Sequence, residues 1–189
     1  MTLATDYLLA AVTGWLAVLL YRRSFHRAVR WWAYAFMALA AGAFLGGTWH
    51  GFLQNDLLWK ATVLSVGVAS FAMVAGSSFA ALGGRARDAV LWLAGLKLIA
   101  YWWWMLGRDD FIYVVIDTGI AFGAVAAMHL WRFNGWILAG VAVSVAAAAV
   151  QASGFAPHPS FNHNDLYHVI QLAAMLLLYR GARTLNDRA

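Results

Sequence analysis

The stretch from residue 134 to residue 153, NGWILAGVAVSVAAAAVQAS, contains no Asp, Glu, Lys, Arg or His. As an α-helix it would be about 30 Å long, which matches the hydrocarbon thickness of a lipid bilayer. A polypeptide can cross that layer only if its backbone hydrogen bonds are satisfied, and a helix satisfies them internally. This stretch therefore predicts a transmembrane helix, and it decides the fold class.

Similar apolar stretches occur along the rest of the chain. They run over residues 4–21, 31–53, 57–83, 88–106, 110–130 and 165–181. Of the 189 residues, 63% are hydrophobic and only 11% are charged, which is far from the composition of a soluble domain. We expect an all-α polytopic membrane protein, a bundle of seven transmembrane helices that forms a single domain over residues 1–189.

Arginine is distributed unevenly among the predicted loops and chain ends. The first, third and fifth loops and the C-terminal end contain Arg22, Arg23, Arg27, Arg30, Arg85, Arg87, Arg132, Arg180, Arg183 and Arg188. The other loops contain Arg108 beside Asp56, Asp109 and Asp110. Because basic loops stay in the cytoplasm, the N-terminus is expected outside and the C-terminus in the cytoplasm, in a bacterial inner membrane. This topology explains the net charge of +5, so we expect no nucleic-acid partner.

Polar side chains fall in the outer half of the predicted bundle. His50 ends the second helix, Asp56 opens the third, and Gln151 ends the sixth. Ionisable groups inside a bilayer are costly and usually functional. Lys97 and Asp117 lie at similar depths on consecutive antiparallel helices, so the sequence predicts a structural ion pair between them.

The histidines on the outer side indicate a metal site. They are His50, His158, His163 and His168. Neutral imidazole is a common zinc ligand, and a chain without cysteine must build a zinc site from histidines and carboxylates. We expect His50 and His168 to be ligands, provided that the second and seventh helices are neighbours.

The third zinc ligand stays open between His158, His163 and Asp165. His163 is suitable only if it lies near the start of the seventh helix, where Asn162 is a plausible capping residue. Asp165 and His168 are three residues apart and share one helix face. Three protein ligands and a water would make the zinc catalytic. Asp56 is the candidate for a carboxylate that accepts a hydrogen bond from a ligating histidine, or for the general base.

This arrangement resembles the CREST superfamily of seven-helix membrane hydrolases, which includes the alkaline ceramidases and the progestin and adiponectin receptors. The similar features are a His late in helix 2, an Asp early in helix 3 and two His in helix 7. The resemblance implies that His50, His163 and His168 hold zinc and that Asp56 is the acid.

The resemblance also implies a substrate class and a location for the reaction. Zinc and its water would cleave an amide or ester of a membrane lipid, in a site that opens toward the outer face. The family has a Ser four residues before the helix 2 histidine. Gly46 stands there in this chain, and Thr48 is the nearby hydroxyl that we assign as a catalytic candidate.

Other functions are also compatible with these residues. In an electron-transfer protein, His50 and His168 would serve as the axial ligands of haem b, with Gly46, Gly47 and Gly51 making room for the porphyrin. A ligand-binding or transport protein without catalysis is a further alternative. A retinal protein is disfavoured because no lysine follows Lys97.

Overall fold

The structure is a computed structural model that describes residues 2–188. Over this range it is all-helical, and its seven helices are α1 (Thr2–Arg23), α2 (Arg27–Gly51), α3 (Asp56–Ala81), α4 (Gly84–Leu106), α5 (Ile112–Arg132), α6 (Gly135–Ser153) and α7 (His163–Ala182). Helices α1 to α6 are long and apolar enough to cross a membrane. Helix α7, which carries Asp165 and His168 in its first two turns, is not among these six. The predicted all-α fold with seven helices is confirmed over the described residues, and six of the seven helices have the length and composition of a membrane span.

In three of the helices, an asparagine occupies the N-cap position directly before the first helical residue. The side chains of Asn55 and Asn134 accept hydrogen bonds from the third residue after each of them, at 2.9 and 3.2 Å. Asn162 caps α7 in a reciprocal capping box with Asp165. Such caps satisfy backbone N–H groups that have no partner within the helix. The predicted start of the seventh helix near Asn162 agrees with this geometry.

Six of the helices form a closed ring in the order α1, α2, α3, α5, α6, α7 and back to α1. Helix α4 packs outside this ring, chiefly against α3. The contact between α6 and α7 is close because a Cβ at Gly140 would lie only 2.6 Å from Leu178, and one at Gly181 only 2.5 Å from Ile137. Small residues allow this approach where lipid gives no hydrophobic drive for association.

Lys60 holds the end of α4 against α3. Its Nζ donates to the carbonyls of Met105 and Arg108, at 2.7 Å each, and to the carboxylate of Asp109 at 2.6 Å. A cation is favoured at the carbonyl end of a helix, where the last acceptors have no partner in the helix. This lysine is therefore explained by its structural contacts.

Candidate functional site

The ring of helices encloses two adjoining chambers. The mouth chamber, with a volume of about 400 Å³, is lined by residues that include Asp6, His50, His163 and His168. The deep chamber, of about 220 Å³, is lined mainly by apolar side chains of α3, α5 and α6. Both chambers share the residues Leu39, Val66, Phe111, Gln151, Tyr167, Gln171 and Met175. The two chambers therefore adjoin, and the Asp and His side chains line only the one at the mouth.

Asp6 and His168 form a buried pair in the mouth chamber. Oδ1 of Asp6 lies 3.1 Å from Nε2 of His168, and the two side chains are only 6% and 9% exposed. The second oxygen of Asp6, Oδ2, is buried and has no hydrogen-bond partner within the described range. Gly47 makes this placement possible, because a Cβ there would lie 2.9 Å from the Cβ of Asp6.

Thr5 connects this pair to a second carboxylate. Its Oγ1 lies 3.0 Å from Nδ1 of His168 and 3.1 Å from Oδ1 of Asp165. When Thr5 donates its single hydrogen to Asp165, its oxygen accepts from Nδ1–H of His168. Nε2 then faces the Asp6 carboxyl across one shared proton. The network is therefore an acid–base pair whose orientation is fixed from behind by Thr5.

Three of the histidines predicted as ligands line the same chamber. His163 and His168 come from the start of α7, and His50 comes from the last turn of α2, where it is exposed and packs edge-on against Trp49. Helices α2 and α7 meet only over a short region, since α1 packs against both. The chamber thus brings the three imidazoles to one compartment, with Asp6 of α1 among them.

Asp165 lies behind the chamber wall. It is 1% exposed, and its two oxygens accept from Thr5 and from the backbone N–H of Asn162. It shares a helix face with His168, as the spacing predicts, because Thr5 contacts both. Its side chain orients the helix start and the histidine.

Asp56, Thr48 and His158 are not among the residues that line the two chambers. Asp56 is exposed at the first position of α3. Thr48 donates to the carbonyl of Phe44 at 2.8 Å and lies 3.0 Å from the hydroxyl of Tyr7. His158 belongs to the loop before α7, where its Nδ1 accepts from a backbone N–H two residues later at 3.1 Å.

The arrangement of these His and Asp side chains differs from that of a preformed metal site with three ligands. Within residues 2–188 no three His or Asp side chains are grouped so that they could hold one metal ion. Both ring nitrogens of His168 already have partners, so zinc at Nε2 would have to displace Asp6. The space beside Gly51, assigned above to a porphyrin, contains Leu3 of α1, which a Cβ would approach to 2.7 Å. Zinc and haem b stay predictions from the sequence.

Lys97 and Asp117 are in contact, as their depths in the sequence predict. Nζ of Lys97 donates to the Asp117 carboxylate and, at 3.0 Å, to its backbone carbonyl. The side chains are 21% and 3% exposed. The pair joins α4 to α5, two helices that otherwise make few contacts. Neither residue lines a chamber, so the contact has a structural role.

Asp6 is the site residue that the sequence reasoning missed. It is the only charged side chain before Arg22 in an otherwise apolar helix. A carboxylate within an apolar span is itself a signal of function. That signal was present, but no spacing motif connects Asp6 to the distant histidines.

One comparison identifies a family for the whole chain. The model of a family of unknown function, DUF6962, matches residues 1–187, and the chain belongs to this family. No curated protein and no solved structure matches the chain significantly. The geometry of the two chambers is therefore the basis for assigning a function.

Proposed function

We propose that this DUF6962 protein binds one amphipathic, lipid-like molecule inside its ring of membrane helices. The polar group occupies the mouth chamber beside Asp6 and His168, and the apolar part extends into the deep chamber. The supporting observation is that the two chambers adjoin and share seven lining residues. Binding sites of this kind are largely apolar, with a few placed polar groups that orient the ligand.

The same proposal includes an orientation in the membrane. The mouth chamber lies at the end of the bundle where α1 and α7 begin. The arginines predicted to be cytoplasmic belong to the opposite end, where Asp187 of the C-terminal tail contacts Arg27. By the distribution of basic loops, the chamber opens toward the outside.

Hydrolysis of a lipid amide or ester is a second candidate function, favoured by the Asp6–His168 pair. A water oxygen would bond to the carbonyl carbon while the pair accepts the water's proton. The pair would then return a proton to the leaving nitrogen or oxygen as its bond to carbon breaks. Such a shift of one proton suits two groups whose atoms Oδ1 and Nε2 lie 3.1 Å apart. No step in this sequence depends on zinc.

Binding is tested with two adjacent residues of α7. Met175 is buried and lines both chambers, whereas Leu176 is 53% exposed on the outer surface. The titration uses a fluorescent single-chain fatty amide and protein in nanodiscs. Met175→Trp should weaken binding by about tenfold or more, because the indole fills the ligand's space. Leu176→Trp should bind like the wild type, and equal binding by both variants would contradict the proposal.

Hydrolysis is tested by mass spectrometry of the released fatty acid. Asp6→Asn should abolish release while Asp56→Asn, at an exposed position outside the chambers, should leave it unchanged. Binding without release by the wild-type protein would reject the hydrolase and retain the binding function. Elemental analysis and an absorption spectrum of the same sample measure zinc and haem directly.

A further inference from the structure

Six of the twelve serine and threonine side chains within these helices bond to their own backbone. Thr62 donates to the carbonyl of Leu58 at 2.8 Å, and Ser65 donates to that of Ala61 at 2.7 Å. Ser78, which is fully buried in α3, donates to Ala75 at 2.8 Å. These bonds to the preceding turn are the ordinary way in which a hydroxyl is satisfied inside a membrane helix.

Ser70 and Thr118 depart from this pattern. The side-chain oxygens of both are buried and have no hydrogen-bond partner among residues 2–188. Ser70 is 0% exposed. Both residues line the deep chamber, Ser70 from α3 and Thr118 from α5. The two residues thus lie in the wall of the deep chamber with hydroxyls that no protein group in the described part of the chain satisfies.

A plain hydrocarbon chain does not satisfy these hydroxyls. A buried polar group without a hydrogen bond is costly, and a chamber within a bilayer has little access to bulk water. Of the chamber's other hydrogen-bonding side chains, Ser144 is already engaged, because Gln171 donates to it at 3.2 Å. The occupant of the deep chamber should therefore supply a hydrogen-bonding group of its own at this depth.

We propose that the deep chamber contains a second polar subsite, in which Ser70 and Thr118 bind a neutral hydroxyl or carbonyl group within the ligand's chain. The group is neutral because the lining of the deep chamber contains no charged side chain. The ligand is then an elongated amphiphile with one polar group at the mouth and another along its apolar part. This inference rests on the proposed binding function.

The test compares single-chain fatty amides that differ in one hydroxyl group. A plain amide and a series with the hydroxyl moved along the chain are titrated into the protein in nanodiscs. We expect one hydroxyl position to bind about tenfold more tightly than the plain amide, which corresponds to a single well-placed interaction. The double variant Ser70→Ala and Thr118→Val should lose this preference and still bind the plain amide.

Ser78→Ala is the matched control, since Ser78 is equally buried in the same helix but bonds to its own backbone. It should keep the preference for the hydroxylated amide. If the double variant does not fold, the single variants Ser70→Ala and Thr118→Val are titrated instead. Each is used only if its thermal stability equals that of the wild type.

Two outcomes separate this inference from the binding function. If the wild type binds all the amides equally, the deep subsite is rejected while the binding function stands. The same holds if the preference persists without Ser70 and Thr118, because it then does not come from their hydroxyls. If no amide binds, both proposals are overturned.

Discussion

Two carboxylates connect the first helices of the chain to its last segment, at opposite ends of the bundle. At the mouth chamber, Asp6 meets His168 with side chains that are 6% and 9% exposed. At the arginine-rich end, Asp187 meets Arg27 at 3.5 Å with side chains that are 22% and 60% exposed. Both contacts join an early helix to the C-terminal part of the chain, but the first is buried and the second is more exposed.

The difference lies in what each carboxylate satisfies. Asp187 accepts from the backbone N–H groups of Arg27 and Ala28, at 2.9 and 2.7 Å, and so caps α2. The residue at the N-cap of α2, His26, makes no such side-chain bond. The capping role fully explains Asp187. Asp6 instead keeps one buried oxygen without a partner and lines the mouth chamber, where the proposed ligand would bind.

If burial decides the cost of losing a partner, the largest effect should come from the Lys97–Asp117 pair. Lys97→Met leaves Asp117, 3% exposed, as an unpaired carboxylate in apolar surroundings. We expect a loss of about 3–5 kcal/mol in the free energy of unfolding, measured by denaturation in detergent.

The control for this prediction is the Lys60–Asp109 pair. Asp109 is 77% exposed, so Asp109→Asn should change stability by less than about 1 kcal/mol. Equal effects of Lys97→Met and Asp109→Asn would show that burial does not decide the cost.

Asp6→Ala should have the next largest effect on stability. It leaves Nε2 of the buried His168 without its partner, which costs about 1–3 kcal/mol. Asp56→Ala, at an exposed position, should change stability by less than about 0.5 kcal/mol. A double-mutant cycle of Asp6→Ala with His168→Ala measures the coupling, and additive losses would mean that the pair does not interact.

Much of the fold was predictable from the sequence, because each apolar run that forms a helix is a short continuous stretch of the chain. The stretch 134–153 differs by one residue from the observed helix Gly135–Ser153. The Lys97–Asp117 contact was predictable too, because consecutive antiparallel helices place equal depths side by side. Asn162 likewise predicts the start of α7.

The site was less predictable, because it depends on which helices are neighbours in the ring. The sequence reasoning placed α2 beside α7, whereas α1 packs between them and contributes Asp6. Asp56 lies on the exposed side of α3 because the preceding cap, Asn55, sets the start of that helix. Hydropathy gives the depth of each polar residue but not its rotation about the helix axis.

The smallest effect is expected at Asp187, where Asp187→Ala removes the cap of α2 and should cost about 1 kcal/mol near neutral pH. Burial alone would raise the pKa of this carboxyl, but the N–H groups of Ala28 and Arg27, with the charges of Arg27 and His26, hold it below its usual value of 3.8.

Because the folded pKa of Asp187 is the lower one, its contribution to stability is fully present above the unfolded value and is lost as pH falls through the folded value. The difference in unfolding free energy between wild type and Asp187→Ala should therefore be present at about pH 5 and shrink below about pH 4. Asp88→Ala, an exposed carboxylate at the same end, is the control. A difference that grows in acid would mean that the bonds to α2 do not favour the ionised form.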